Sequence, residues 1–229
     1  MKELSSCIVG VDGLIESELD RHAVMVCPGI STEFLNAQRF DNSVVITVNS
    51  MLTKMHSDYS ILMDPYKLDD LFLWFEHRPK TTMVISEEVL HRLDDNPPID
   101  YRSGRSGRSE ISKTKGIVVH DHIEPFGSSS NSVIVAFEMA HLLGISSMDI
   151  YGLDLCSPSH KTHAYNMGKV ENKSGTMLPN GLYSYVEWNS LKKLIEKECY
   201  RWRRMKIVNR SERSTLECFP KERRYDGDI

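Results

Sequence analysis

Short apolar runs rich in β-branched residues recur along the chain, separated by longer stretches of helical period, and this alternation restricts the fold more than any other feature. The runs are Ala23–Cys27 (AVMVC), Ser43–Val48 (SVVITV), Tyr59–Met63 (YSILM), Thr82–Ile85 (TMVI), Ile117–Val119 and Met148–Leu155 (MDIYGLDL), with Met205–Val208 as a further strand. A strand with one face in water alternates apolar and polar residues. These runs are apolar at consecutive positions, as expected of strands covered on both faces. Parallel strands need long crossover connections, and helices are expected at 32–38, 51–56, 67–75, 87–92, 132–143 and 187–203. The pattern predicts an α/β fold: a single Rossmann-like domain, its sheet mostly parallel, with helices on both faces.

The helix starting near 132 is well punctuated, with Asn131 or Ser132 as N-cap and Gly144 as its stop. Asp94–Lys115 changes character: two prolines, then Gly and Ser separated by arginines, with almost nothing to bury. A solvated connector explains this composition, and the RSGRSG repeat also suits an anion-grasping lid. The expected organisation is an N-terminal extension over 1–22 and the Rossmann-like domain over 23–219, interrupted by a mobile basic insertion at 94–115. A flexible polar tail covers 220–229.

At 229 residues the chain can bury one sizeable core, so one domain is expected. Lys and Arg total 28 against 32 Asp and Glu, a net charge of -4, so nucleic acid is not demanded as a partner. Arg102, Arg105 and Arg108 are the weak argument for it. The oiliest stretch, Val133–Leu143, is interrupted by Glu138 and His141, too short and too polar for a membrane span. Met1–Gly10 has no secretory pattern, which makes a cytoplasmic location the expectation. Five scattered cysteines without a CxxC spacing read as reduced thiols, with neither a disulfide framework nor a zinc site.

Ligands of open parallel sheets bind at the carboxyl ends of strands, so the residues leaving each strand are the candidates. After the first come Pro28, Gly29, Ile30 and Ser31, a tight turn that either closes a loop or holds a phosphate. Asn49 follows the second strand and Asp64 the third. Each alone is explained as a cap or turn, but together they place an amide and a carboxylate at equivalent positions on neighbouring strands. His120, Asp121 and His122 lack a third metal ligand, and no metal is assigned there. Gly127–Ser132 leads small residues into a helix, suited to phosphate or simply to a turn and cap. The strand ending at Gly152 and Asp154 is followed by His160, Lys161, His163 and Tyr165, the densest group of acids and donors in the chain.

In order, CPGIS, VVITVN, DYSILMDP and SNSVIVAFEMAHLLGISSMDIYGLDL resemble the bacterial sialyltransferase family typified by the Campylobacter lipooligosaccharide enzymes. They also resemble the related family containing archaeal 6-hydroxymethylpterin diphosphokinase. The resemblance covers about Val24 to Leu155 and implies a Rossmann-like domain binding a nucleotide donor, CMP-sugar in one family and ATP in the other. By position it implies nucleotide contacts from Gly29, Ser31, Asn49, Asp64 and Ser132, and it matches Asp154 to the acid of the G-x-D strand end. The chain departs from the pattern in its first loop, CPGIS in place of GNGPS. Where the sialyltransferases have phosphate-steadying tyrosines the nearest residues are Cys156 and His163, and no histidine precedes the long C-terminal helix, leaving His163 or Glu187 as base.

The expected function is therefore a nucleotide-dependent transferase, glycosyltransferase-like and of sialyltransferase type. It would take a nucleotide-linked donor and a small-molecule or glycan acceptor, with His163, Glu187 and Asp154 as catalytic candidates. The sialyltransferase-like reading needs no cofactor. Two alternatives stand beside it: a diphosphokinase-like enzyme using Mg²⁺ on Asp64 or Asp154, and a lapsed enzyme that binds nucleotide in a regulatory role.

Overall fold

The structure is a computed structural model that describes residues 4–29, 32, 35, 40, 42–65, 68, 80–95, 97, 99–100, 105–106, 114–120, 131–155, 182–211 and 213–222, with backbone alone at 5, 50, 53, 99–100, 105–106 and 182–189. Its strands are β1 (His22–Val26), β2 (Val44–Val48), β3 (Tyr59–Leu62), β4 (Thr82–Ile85), β5 (Ile99–Asp100), β6 (Arg105–Ser106), β7 (Gly116–Val119), β8 (Ser147–Tyr151) and β9 (Lys206–Asn209). Seven of them form one parallel sheet in the order β7-β4-β3-β2-β1-β8-β9, while β5 and β6 make a separate antiparallel pair. The α/β Rossmann-like architecture expected from the consecutive apolar runs is the one observed.

Period-two geometry sorts each strand's side chains between two faces. Ala23, Met25 and Cys27 of the first strand and its exit join Val44, Ile46 and Val48 in the main core. Val24, Val26 and Val45 meet Met51, Met55 and Tyr151 on the opposite face. On the main-core face lie α2 (Ser132–Leu142) and α3 (Leu182–Glu198), the latter through Leu191 and Ile195. On the other face α1 (Glu87–Asp95) buries Val89 and Leu93 against Met83, Ile85, Ile117 and Val119.

Every residue of α2 from Ser132 to Ala140 is buried, which is why the helix is apolar all round and shows no polar stripe. The sheet covers one side. Trp202 stacks on Phe137 at 4.4 Å from the other, and Phe219 packs at 5.4 Å. Asn131 Oδ1 caps the helix by accepting from the Val133 N–H at 2.9 Å. At the far end Gly144 adopts a φ of 79°, and the N–H groups of Glu16, Glu18 and Asp20 donate to the carbonyls of Leu142, Leu143 and Gly144 at 2.9, 2.9 and 3.0 Å. The N-terminal stretch thus satisfies carbonyls that the helix itself leaves open. It also donates from Val9 N–H to Ile117 O at 2.8 Å, along the edge of β7.

Several expected elements differ in extent. The strand read as 148–155 ends at Tyr151, because Gly152 turns the chain with a φ of 72°; Leu153 and Leu155 stay buried and so mimic strand residues. The helix expected at 51–56 is a 3-10 segment, Asn49–Thr53, whose Met51 and Leu52 bury into different clusters. The long C-terminal helix starts earlier and ends at Glu198, followed by a 3-10 turn over Cys199–Trp202. Helices expected at 32–38 and 67–75, and most of the 94–115 insertion, lie outside the described residues. Among the described residues no helix is long and apolar enough to cross a membrane.

Candidate functional site

From β1 the chain proceeds to β2, β3, β4 and β7 on one side of the sheet, whereas β8 and β9 lie on the other. The boundary between β1 and β8 is the topological switch point, and ligands of such sheets bind in the crevice outside the carboxyl ends of these strands. Two loops meet there. Cys27 N–H donates to Tyr151 O at 2.8 Å and Gly29 N–H to Gly152 O at 2.9 Å, extending the β1–β8 pairing past the strands themselves.

The approach leaves no room for side chains. A Cβ on Gly29 would lie 2.2 Å from the Gly152 carbonyl oxygen and 2.6 Å from Asp154 Oδ2. A Cβ on Gly152 would lie 2.1 Å from the Cys27 carbonyl oxygen and 2.5 Å from Thr32 Cγ2. Thr32, buried, closes the first loop by donating from Oγ1 to Gly29 O at 2.6 Å. Asp154 is 6% exposed, and its carboxylate sits against the glycine backbone at the floor of the crevice.

Cys27 feels the same carboxylate. Burial, and after it the negative charge of Asp154, push its thiol well above the ordinary value. An acid whose pKa is raised by folding adds stability below its unfolded pKa and loses it above, because only the unfolded chain then sheds the proton. Wild type is expected to lose up to about 1.4 kcal/mol of stability more per pH unit than Cys27→Ala, once the pH exceeds roughly 8.5. Urea melts of both proteins at pH 8, 9 and 10 read this slope; parallel curves would show that the thiol is not held protonated.

A strap runs behind the Asp154 loop. At the end of β9, Asn209 Oδ1 accepts from Ser211 N–H at 3.0 Å, and Ser211 Oγ accepts from Leu153 N–H at 2.9 Å. Thr215 donates twice, from N–H to Asp154 O at 3.3 Å and from Oγ1 to Leu155 O at 3.4 Å. These bonds fix a loop whose Leu155 is held at a φ of 48°. Sequence reasoning missed Ser211 and Thr215, although they follow a strand end just as the chosen candidates do.

On the next strand Asn49 leaves β2 with a φ of 52°, and its Oδ1 accepts from Ser132 Oγ, at the start of α2, at 3.0 Å. The side chain thereby ties the β2 tip to the helix N-terminus. Asp64, half-buried, leaves β3; Met63 O beside it accepts from Ser86 Oγ at 3.2 Å, and Pro65 O accepts from Arg92 at 2.7 Å, so α1 pins this tip.

Parallel register, with Val26 opposite Thr47 and Val48 opposite Ile61, brings the three exits to one edge of the sheet. Gly29 is therefore joined to Asp154 and Asn49 to Ser132. Asp64 stands one strand beyond, and β3 is three strands from β8, roughly 14 Å at the usual spacing. Ser31 and His163 lie outside the described residues, as does the Glu187 side chain. Among the described residues no three His, Cys, Asp or Glu side chains gather to hold a metal ion.

His120, which directly follows β7 at the carboxyl edge of the sheet, is buried. Its Nε2 lies 3.4 Å from Glu138 Oε2, and Arg201 donates to Glu138 Oε1 at 3.0 Å. A cleft of about 680 Å³ opens next to Glu138, lined by His141, Ser146, Arg201, Trp202 and Arg204 among others. Ser146 immediately precedes β8, so the cleft lies at the amino ends of the strands, the wrong end of a parallel sheet for the ligand crevice.

No protein-family model matches the chain, and no curated protein does. Among solved structures the chain is similar to the MAf glycosyltransferase from Magnetospirillum magneticum AMB-1, with a TM-score of 0.57 at 13% sequence identity. The match covers 91% of this chain and 35% of that one, so the chain spans about a third of that protein's length. The likeness is one of fold.

Proposed function

We propose that the chain is a nucleotide-dependent transferase, glycosyltransferase-like, that holds a nucleotide-linked donor in the crevice over the ends of β1, β2 and β8. The observation that carries this reading is the close approach of Gly29 to the Gly152 carbonyl and the Asp154 carboxylate at the switch point, with the Asn49–Ser132 pair on the adjacent strand. The fold-level likeness to a glycosyltransferase adds support. In this reading Gly29 and Ser31 approach the nucleotide through backbone. Asn49 and Ser132 donate and accept at the sugar or phosphate, and Asp64 accepts from a hydroxyl. Asp154 holds the floor of the site, and His163 or Glu187 takes the acceptor proton. Sialyl transfer from a CMP-linked donor is the most specific form of the proposal.

Thermal shift against CMP, UMP, ADP and their sugar conjugates, with and without Mg²⁺, tests it, because a ligand bound by the native state alone raises the melting temperature. A cytidine nucleotide is expected to give the largest shift without Mg²⁺. Replacing both Asn49→Ala and Ser132→Ala is expected to weaken binding about 10-fold or more, from two lost hydrogen bonds at about 1 kcal/mol each. Affinity unchanged in that double variant would reject the assignment. A shift only for ADP with Mg²⁺ would favour phosphoryl transfer, with Asp64 or Asp154 sharing the ion with substrate phosphates. Tight binding without turnover would favour a regulatory role.

A further inference from the structure

Two thiols meet where the chain beyond β9 crosses the end of α3. Cys199 follows Glu198, the last residue of α3, and Cys218 lies between the strap and Phe219. Both are half-buried and free, and both pack against the main core. Cys199 is the neighbouring group that, after burial, most raises the Cys218 thiol. Glu196 anchors the pair from both sides: its carbonyl accepts from Cys199 Sγ at 3.2 Å, and its Oε1 accepts from Glu217 N–H at 3.4 Å. Cys27 by contrast is sealed at the crevice, and Cys7 packs in the separate cluster around Leu4 and Ile117.

We propose that Cys199 and Cys218 form a thiol–disulfide modification site, closed by a low-molecular-weight disulfide such as oxidised glutathione, which staples the strap behind Asp154 to the end of α3. The loop so closed contains β9 together with Ser211 and Thr215, the residues that bond Leu153, Asp154 and Leu155.

The exchange balances in two steps. The thiolate of one of the two cysteines attacks one sulfur of the oxidant, forming a mixed disulfide and releasing one small thiol. The other cysteine then loses its proton to solvent and attacks the protein sulfur of that mixed disulfide; the second small thiol leaves. Two protein thiols are oxidised and one small disulfide is reduced. Burial, followed by the neighbouring Cys199, pushes the Cys218 thiol up, so the exchange is expected to quicken as the pH rises.

The test uses the reduced chain, incubated with oxidised glutathione near pH 8, acid-quenched, unfolded, alkylated and digested. A peptide linked through Cys199 and Cys218 is expected, reversed by dithiothreitol. The linked protein should melt roughly 5 to 10 °C higher, because the cross-link restricts the unfolded chain. Cys218→Ser should stop at a glutathione adduct on Cys199 without that rise. Full alkylation of both cysteines after incubation, an adduct that never resolves in wild type, or linkage to another cysteine would each overturn the proposal. Mass and melting temperature read the cross-link without any nucleotide, so failure of the crevice reading leaves this result intact.

Discussion

Gly152→Ala is expected to cost about 3 kcal/mol of stability and to lower the melting temperature by roughly 6 to 12 °C. Two effects add. Gly152 sits at a φ of 72°, and a side chain in that left-handed region costs about 1 kcal/mol. The new Cβ would also lie 2.1 Å from the Cys27 carbonyl oxygen, which belongs to backbone and has no rotamer to escape into. Relief requires β1 and β8 to part where Cys27 N–H bonds Tyr151 O and Gly29 N–H bonds Gly152 O. Gly10→Ala and Gly13→Ala are the controls. Their Cβ positions meet nothing within 4 Å, and changes within about 0.5 kcal/mol are expected. Gly29→Ala meets Asp154 as well as backbone, so it should disturb the carboxylate along with the stability. Differential scanning calorimetry that placed Gly152→Ala within 2 °C of wild type would dismiss the close approach as the organising contact of the crevice.

The sheet was legible because its signal is local. Val44–Val48 and Thr82–Ile85 are buried on both faces, and consecutive β-branched residues are what such burial selects. The end of β8 was not legible from apolarity, since Leu153 and Leu155 are as buried as strand residues while their backbone has already turned. Only the glycine between Tyr151 and Leu153 marks the turn, and a glycine alone does not announce its φ. Candidates at strand exits were found by a positional rule, which is why Gly29, Asn49, Asp64 and Asp154 were nameable. Their partnerships were not: Gly29 meets Asp154 and Asn49 meets Ser132 across long stretches of chain, through a strand order that no local pattern encodes. Ser211 and Thr215 escaped for a simpler reason. Their donors and acceptors serve backbone, and small hydroxyl residues after a last strand look like any loop.

Glu138 carries the second large expectation, since it is a carboxylate 2% exposed in the middle of a helix buried on all sides. Its two oxygens divide the labour. Oε1 meets Arg201, which is 31% exposed and also reaches Glu198 at 3.6 Å, whereas Oε2 faces His120, which has almost no access to water. Losing the carboxylate therefore harms the two partners unequally, because Arg201 can turn to Glu198 and solvent while His120 is shut off from water. Glu138→Ala removes one buried methylene at about 0.8 kcal/mol and takes the carboxylate oxygen away from His120 Nε2 at about 1 to 3 kcal/mol. The sum is about 3 kcal/mol. Glu138→Met restores the volume and leaves only the imidazole to compensate, so it should fall between alanine and wild type. Glu138→Gln keeps an acceptor for Arg201 and a polar group for His120 and should cost about 1 kcal/mol or less. Denaturant melts of the three variants give the order directly. If alanine cost no more than glutamine, the helix would be held by its apolar contacts with Trp202 and Phe219 and the buried ions would add nothing to stability.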